Sequence, residues 1–294
     1  MHHHAVRAAA AAPLCLLAVH AHPDDEASKG SASVAKYTAE GVRSVLVCCT
    51  GGEAGEILNP AMDQPEIHDN LAAVRLEELR ASTDILGFEA LHMLGYHDSG
   101  MAGTETNARP DNFANAPLDE AVGRLVRLIR AERPQVLLGY AEDREFYPHP
   151  DHIRVHEVTV AAFDASGDPE RFPDAGEPWQ PLKLYYTGFA PRRIRIMDQA
   201  FKDRGEESPF AKWLEKGFPQ GWEDAFTTYV DVGDYLEKRT QALLAHRTQV
   251  DPTGFWFRLP DDVVRQVFPY EEFILAEALV ETAIPEDDLF AGLR

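Results

Sequence analysis

Two short motifs rich in histidine and aspartate have residue types and spacings suited to metal chemistry. The first is "AHPDDE", which contains His22 and Asp25, and the second is "HPDH", from His149 to His152. In both motifs the outer residues are three positions apart, so a single turn can direct two side chains at one point. Imidazole and carboxylate groups are suitable ligands for zinc or ferrous iron, and a catalytic site needs three ligands with one position open for water. His22, Asp25 and His152 supply such a set.

The adjacent aspartates can have different roles in this arrangement. If Asp25 faces the metal, Asp24 can lie beside the open position. A metal lowers the pKa of its bound water toward ~7, and a nearby carboxylate can take the proton as the nucleophile attacks. The attacked carbonyl becomes an oxyanion, which His149 or Tyr147 could stabilise, with Asp151 orienting the His149 imidazole. The predicted chemistry is metal-assisted hydrolysis of an amide or ester, with Asp24 as the general base.

These motifs also have simpler interpretations. Aspartate and proline favour turns, so a lone H-P-D sequence more often marks a turn than a site. His152 and His156, four residues apart, could form the metal pair instead, although no HExxH motif is present. The loop "TGGEAGE" at 50–56 could cradle phosphate, but it matches no glycine fingerprint and its glutamates would repel phosphate. We interpret several other histidines as structural or exposed: His20, His68, His92, His97, His156 and His246.

The alternation of short strand-like runs with amphipathic segments predicts an α/β fold, a Rossmann-like, mostly parallel sheet with helices on both faces. The predicted strands are Leu14 to Val19, Arg43 to Cys49, Leu91 to Leu94, Gln135 to Tyr140 and Leu182 to Tyr186. The predicted helices are Ser31 to Glu40, Asn70 to Leu86, Leu118 to Glu132 and His152 to Ala165. We expect residues 1–190 to form this core.

After Pro191 the strand-helix rhythm is lost, and the stretches Asp234 to Ala245 and Glu271 to Glu281 are predicted to be helical. We expect residues 191–294 to form a smaller region that packs on the core and closes one side of a pocket.

Polar loops follow four consecutive predicted strands: "HAHPDDE", "TGGEAGE", "GYHDSG" and "AEDREFYPHPDH". Because ligands bind beyond the carboxyl ends of the strands in an open parallel sheet, these loops predict a single site. Arg75 and Asp98 fall near the same edge, where they are either surface charges or contacts to the substrate.

The composition restricts the class of protein and its compartment. Against 49 acidic residues there are 28 basic ones, and the formal charge of −21 argues against nucleic acid or an anionic membrane surface as a partner. No apolar run approaches the ~20 residues of a membrane span. A basic residue and a short apolar run at 5–19 are similar to a signal peptide, but cleavage would remove the first strand. Three cysteines in apolar runs favour buried thiols in a reducing cytoplasm.

The two motifs, in this order and context, resemble those of the zinc-dependent N-deacetylases of the PIG-L and LmbE-like superfamily. The resemblance implies His22, Asp25 and His152 as metal ligands, Asp24 as the general base and His149 as the oxyanion-stabilising group. It also implies that Asp151 supports His149 and that Tyr147 helps to polarise the carbonyl. A further set is implied to contact a glucosaminyl-inositol substrate: Glu53, Arg75 and Asp98. Glu145 and Phe146 stand where the family usually has Gly-Gly, which removes backbone freedom ahead of Tyr147.

Within this superfamily, "GGEAGEILNPAMD", "RFPDAGEPWQPLKLYY" and "LLAHRTQVDP" resemble the amidases that cleave mycothiol S-conjugates. The implied substrate is a small thiol-sugar conjugate, and the implied cofactor is Zn²⁺, with Fe²⁺ also compatible with the ligands. The role would be detoxification or processing of a mycothiol-conjugated natural-product intermediate.

"DSGMAGT" is shared with the deacetylases that act on N-acetylglucosaminyl-inositol in mycothiol biosynthesis, so this activity is the main alternative. A catalytically silent metal- or sugar-binding module is a lower one, because binding alone does not require the spare base Asp24. The sequence leaves the oligomeric state open.

Overall fold

A seven-stranded sheet forms the centre of the computed structural model, which describes residues 13–294. The strands are β1 (Cys15–His20), β2 (Arg43–Thr50), β3 (Ala90–Tyr96), β4 (Val136–Tyr140), β5 (Lys183–Gly188), β6 (Thr228–Asp231) and β7 (Tyr270–Ala278). Their order across the sheet is β3-β2-β1-β4-β5-β7-β6, with β1 to β5 parallel and β7 antiparallel to both of its neighbours. The predicted fold class is confirmed.

Helices cover both faces of this sheet. They are α1 (Asp25–Ser28), α2 (Ser31–Ala39), α3 (Pro65–His68), α4 (Leu71–Leu86), α5 (Leu118–Glu132), α6 (Pro150–Ser166), α7 (Pro191–Asp203), α8 (Ala211–Lys216), α9 (Trp222–Ala225), α10 (Leu236–Ala245) and α11 (Asp261–Val267). Short 3₁₀ turns lie at Pro60–Met62, Thr106–Ala108, Pro173–Ala175, Gly233–Tyr235 and Phe255–Phe257.

The central strand β1 is buried on both faces, which explains its continuous apolar sequence. Leu16 belongs to a core that includes residues of α2, α4, α7, α10 and α11, whereas Leu17 faces α5 and α6. Leu17 pairs with Val45 of β2 on one side and with Leu137 of β4 on the other. The two adjacent strands therefore hold the loop after β1 at the middle of the sheet edge.

The predicted helix at Glu271 to Glu281 is wrong, because this segment is strand β7. Glu271 and Glu272 are buried, yet both are hydrogen-bonded: Glu271 accepts from backbone N–H groups in the first turn of α2, and Glu272 accepts from Arg193 on α7. Strand pairing with β5 and β6, together with these contacts, overrides the local helical preference.

Strands β6 and β7 come from residues 191–294 and continue the sheet from β5. The domain boundary near residue 190 stays a prediction. Most of the signal-like stretch at 5–19 lies outside the described residues. In the part of the chain that the structure describes, no helix is long and apolar enough to cross a membrane.

A buried ion pair holds the segment after β7 against this extended sheet. Lys183 on β5 lies 2.5 Å from Oε1 of Glu286, and both side chains are fully buried. Glu286 also accepts hydrogen bonds from Tyr185 and Thr228, so one carboxylate links β5, β6 and the C-terminal segment. Removing one partner of such a pair leaves an uncompensated buried charge.

We therefore expect Lys183→Met to lower the free energy of unfolding by about 3–5 kcal/mol in urea denaturation. The matched control is Arg195→Met, which breaks the exposed Arg195–Glu223 pair and should cost less than about 1 kcal/mol. Equal losses in the two variants would contradict the structural role of the buried pair.

Candidate active site

The loops that follow β1 and β4 bring both histidine-aspartate motifs to one point at the carboxyl edge of the sheet. His22 and Asp25 lie at the start of α1, and His152 lies in the first turn of α6. One ligand atom from each of these three residues lies within 4.8 Å of the others. The structure therefore brings together the three side chains that the sequence predicts as metal ligands.

Local backbone geometry explains why each motif forms a tight turn. The backbone N–H of His22 donates to Oδ2 of Asp25 over 3.0 Å, closing the first turn. In the second motif, Pro150 occupies the first position of α6, where its missing N–H costs nothing. The side chain of His149 caps this helix, with Nδ1 accepting from the backbone N–H of Asp151 over 3.2 Å.

Asp25 is ionised in a buried position because an ammonium group and two histidines lie close to it. Its side chain lies 2.5 Å from the ammonium of Lys29 and 3.3 Å from Nε2 of His152. Burial alone would raise the pKa of Asp25, but Lys29 and the two histidines of the ligand set outweigh it and hold this pKa well below its usual range. Lys29 was missed from the sequence, although a lysine four residues after an aspartate on a helix is a recognisable pair.

Asp24 lies beside this centre and is held by Arg75. Arg75 donates to the backbone carbonyl of Pro23 and lies 3.1 Å from Oδ2 of Asp24. Burial raises the pKa of Asp24, and the Arg75 guanidinium opposes that rise. The backbone φ of Asp24 is 118°, a region that costs about 1–3 kcal/mol for a residue other than glycine and that clusters at functional sites.

Glu26, the third acidic residue of the sequence Asp24–Asp25–Glu26, stabilises this strained turn. Its Oε2 accepts a hydrogen bond of 2.9 Å from the backbone N–H of Asp24. Its Oε1 accepts from the Ser82 hydroxyl and from Nε2 of His246, and both of these bonds are 2.5 Å long. Glu26 and His246 are fully buried. The sequence predicts His246 only as a structural or exposed residue. It directly follows α10 and, through Glu26, supports the loop that carries the candidate base.

The carboxylate of Asp151 contacts His22 and Ser99. Its Oδ2 accepts from Nε2 of His22 over 3.1 Å and from the backbone N–H of Ser99 over 2.9 Å. Only the backbone N–H of Asp151 reaches His149. A carboxylate on one ring nitrogen of a histidine fixes the tautomer and leaves the other nitrogen for a metal.

The fit of a metal to this centre is supported by an orphaned atom. Nε2 of His152 is buried and has no hydrogen-bond partner among the described residues. Burial lowers the pKa of His152 to about 4, so the imidazole is neutral at pH 7, as a metal ligand must be. A neutral imidazole, a second histidine and an ionised carboxylate are the donors that a divalent metal requires.

A second group, His22, Asp98 and His149, also has ligand atoms within 4.8 Å of one another. It depends on Nε2 of His22, which already donates to Asp151. Nδ1 of His22 faces Asp25 at 3.6 Å and carries no such bond to a side chain. The first group is therefore better suited to a metal.

Tyr147 lies at the open side of the site, with half of its surface exposed. Its ring centroid is 4.9 Å from that of His152 and 5.9 Å from that of His149. The loop is shaped by Asp143, whose carboxylate accepts from three successive backbone N–H groups at 145–147. Phe146 stacks on Phe218, with centroids 5.8 Å apart, so residues 191–294 contact this loop.

The three predicted substrate contacts surround the centre. Arg75 and Asp98 are 2% and 4% exposed, so they are not surface charges. Glu53 bonds through Oε1 to His97 and to the backbone N–H of Asp98, while its Oε2 is buried without a partner among the described residues. Their contact with a substrate stays a prediction. His156 donates to the carbonyl of Tyr140 and belongs to neither ligand group.

Comparison with known proteins relates this site to a family. Residues 17–163 match the family model PIG-L, described as GlcNAc-PI de-N-acetylase. The chain is 47% identical to a mycothiol S-conjugate amidase of Streptomyces coelicolor, over 96% of this chain and 98% of the relative. It is 40% identical to a 1D-myo-inositol 2-acetamido-2-deoxy-alpha-D-glucopyranoside deacetylase of Geodermatophilus obscurus, over 95% and 97% of the two chains.

Among solved structures, the N,N'-diacetylchitobiose deacetylase of Pyrococcus horikoshii has a similar fold. The TM-score is 0.60 at 18% identity, with 90% of this chain and 84% of that chain covered. The loops that carry His22 and His152 lie within residues 17–163, the part of the chain that the family model matches. The chain belongs to the PIG-L family.

Proposed function

We propose that this protein is a zinc-dependent amidohydrolase that cleaves the amide between glucosaminyl-inositol and the cysteine of a mycothiol S-conjugate. The observation that carries the chemistry is the convergence of a candidate metal triad, a separate carboxylate and a neutral imidazole at one sheet edge. The full-length likeness to a mycothiol S-conjugate amidase supports the choice of substrate. The role would be detoxification or processing of a mycothiol-conjugated natural-product intermediate.

His22, Asp25 and His152 would hold the zinc ion. When bound, zinc supplies a Lewis acid and makes a water molecule nucleophilic at neutral pH. Asp151 orients His22 through the hydrogen bond to Nε2. The same ligand set is compatible with Fe²⁺.

Asp24 is the proposed general base. Arg75 holds its Oδ2, so Oδ1 is the atom that takes the proton from the attacking water. Glu26 fixes the strained turn at Asp24 by accepting a hydrogen bond from the backbone N–H of Asp24. The proton then passes to the departing amine nitrogen as the C–N bond breaks.

His149 is the proposed donor to the oxyanion. Because Nδ1 accepts from the backbone of Asp151, the imidazole proton lies on Nε2, from which it can be donated. Burial and the neighbouring His22 lower the pKa of His149, so the ring is neutral at pH 7. Tyr147, at the open side, is a second donor for the carbonyl of the substrate.

Deacetylation of N-acetylglucosaminyl-inositol is the second candidate, since relatives named for that reaction match nearly the whole chain. Both reactions break an amide on the same amino sugar, so the catalytic groups do not distinguish them. The three cysteines are buried and free, which supports a reducing compartment, and the proposed location is the cytoplasm.

The first prediction from this mechanism concerns the base. Asp24→Asn should lower kcat by about 10²–10⁴-fold, since it removes proton transfer but no metal ligand. Zinc content, measured by elemental analysis of the purified protein, should not change. Asp25→Asn is the matched variant one residue away, and it should lose the metal. Undiminished turnover by the Asp24→Asn protein would contradict the proposed mechanism.

The second prediction concerns the substrate. Measured with the same zinc-loaded protein, kcat/KM should be at least ~10-fold higher for a mycothiol S-conjugate than for N-acetylglucosaminyl-inositol, a difference of about 1.4 kcal/mol in transition-state stabilisation. A ratio in the opposite direction would identify the deacetylase. No hydrolysis of either amide by a metal-loaded protein would favour a silent binding module.

The third prediction concerns the anchor of the base. Although burial opposes its charge, Glu26 raises the pKa of His246 above its ordinary 6.5, while His246 and other donors outweigh burial and lower that of Glu26 below its ordinary 4.5. The histidine contribution to stability is complete below its unfolded pKa and is lost as the pH rises through the raised value. The glutamate contribution is complete above its unfolded pKa and is lost as the pH falls through the lowered value.

His246→Gln should therefore reduce the free energy of unfolding most between about pH 4.5 and 6.5, by about 3–5 kcal/mol. Urea denaturation across this range provides the measurement. His68→Gln removes a half-exposed histidine paired with Asp63, and its cost should stay below about 1 kcal/mol at every pH. A deficit in His246→Gln that does not change with pH would count against the charged pair.

A further inference from the structure

An aromatic pocket lies among the helices of residues 191–294, outside the candidate metal site. It encloses about 560 Å³ with its open mouth included, and it lies between the end of β5, helices α7, α8, α10 and α11, and the turn at Phe255–Phe257. Its walls include Phe189, Phe210, Trp213, Phe255 and Trp256. Small-molecule sites are typically lined by hydrophobic and aromatic side chains with a few polar groups, and this lining has that character.

One charged side chain in this wall has a buried donor without a hydrogen-bond partner among the described residues. Arg239 on α10 is only 6% exposed. Its Nε is buried without a partner in the same part of the chain. Burial and the nearby Arg193 lower the pKa of Arg239 to about 10, which still leaves it charged at pH 7.

The carboxylates that face Arg239 are already engaged by other donors. Glu271 accepts from the backbone N–H groups of Ala32 and Ser33, Glu272 from Arg193 and Ala190, and Asp261 from Thr240. A buried guanidinium donor without a hydrogen bond is costly, and such a donor in a native fold requires an explanation. An anionic ligand in the pocket supplies one.

The arginine and the aromatic side chains that line the pocket together indicate the class of ligand. Arginine presents a planar fork of donors that matches a carboxylate, and aromatic walls favour a flat apolar body. We propose that this pocket binds an organic carboxylate with an aromatic or apolar body, with Arg239 as the anchor of the carboxylate. This binding does not require that the protein hydrolyse mycothiol conjugates.

Two sources can provide such a compound. One is an aromatic carboxylate unrelated to the reaction. The other, which rests on the proposed function, is the N-acetylcysteine S-conjugate released by hydrolysis, since it carries a new carboxylate and the S-linked group. The test uses 1-naphthylacetate for the first source and S-benzyl-N-acetylcysteine for the second.

Binding is measured on the zinc-loaded protein by fluorescence titration, because Trp213 and Trp256 both line the pocket. We expect saturable binding of at least one of the two carboxylates, and at least tenfold weaker binding of the uncharged amide of the same probe. The probe that binds more tightly identifies the source.

The decisive variant is Arg239→Met, which keeps the length of the side chain and removes its charge. Its affinity for the carboxylate should fall at least tenfold, whereas its melting temperature should stay equal or rise, because the substitution removes the buried Nε donor. Its amide hydrolysis should not change. Arg195→Met on α7 exchanges an exposed arginine in the same region and should alter none of these measurements.

Trp213→Ala provides a second variant, at a position 42% exposed, and it should also weaken binding. Absence of binding by both probes, equal affinity for acid and amide, or undiminished affinity in Arg239→Met would each overturn the proposal. A large fall in the melting temperature of Arg239→Met without a probe present would show that Arg239 is structural, which would also overturn it.

Discussion

Three consecutive acidic residues, two of them buried and one partly exposed, can lie together at the end of β1 only because each has its own positive partner. Asp24 faces Arg75 from α4, Asp25 faces Lys29 and two histidines, and Glu26 faces His246. Without these partners the run would repel itself and lose hydration. The partners come from three different parts of the fold, so the active-site turn depends on the packing of α1 against α4 and α10 and on α6.

The parallel sheet makes this arrangement possible. Strands β1 and β4 are neighbours, so the loops after them meet although more than a hundred residues of chain separate them. Residues 191–294 contact the loops of the candidate site: His246 bonds to Glu26, Phe218 stacks on Phe146, and β6 and β7 extend the sheet. Helix α10 therefore links the aromatic pocket to the candidate site, because it carries Arg239 and is followed directly by His246.

The sheet edge and the closeness of His22, Asp25 and His152 could be predicted, because the polar loops after the predicted strands and the short spacing within each motif are visible in the sequence. The partnership of Glu26 with His246 could not, since it joins residues 220 positions apart and each one alone resembles an ordinary polar residue. The sequence of β7 was predicted to be a helix because two adjacent glutamates are not expected inside a buried strand. Their burial depends on hydrogen-bond donors from α2 and α7, which the sequence does not place beside them. The contact of Asp151 with His22 depends likewise on tertiary placement.

In the proposed mechanism, catalysis is centred on a metal held by His22, Asp25 and His152. Anomalous diffraction from zinc-soaked crystals, recorded above and below the zinc absorption edge, tests it most directly. We expect one strong peak in contact with these three side chains, with Asp24 beside it and not in contact. A peak among His22, Asp98 and His149, or the absence of any peak at this sheet edge, would contradict it.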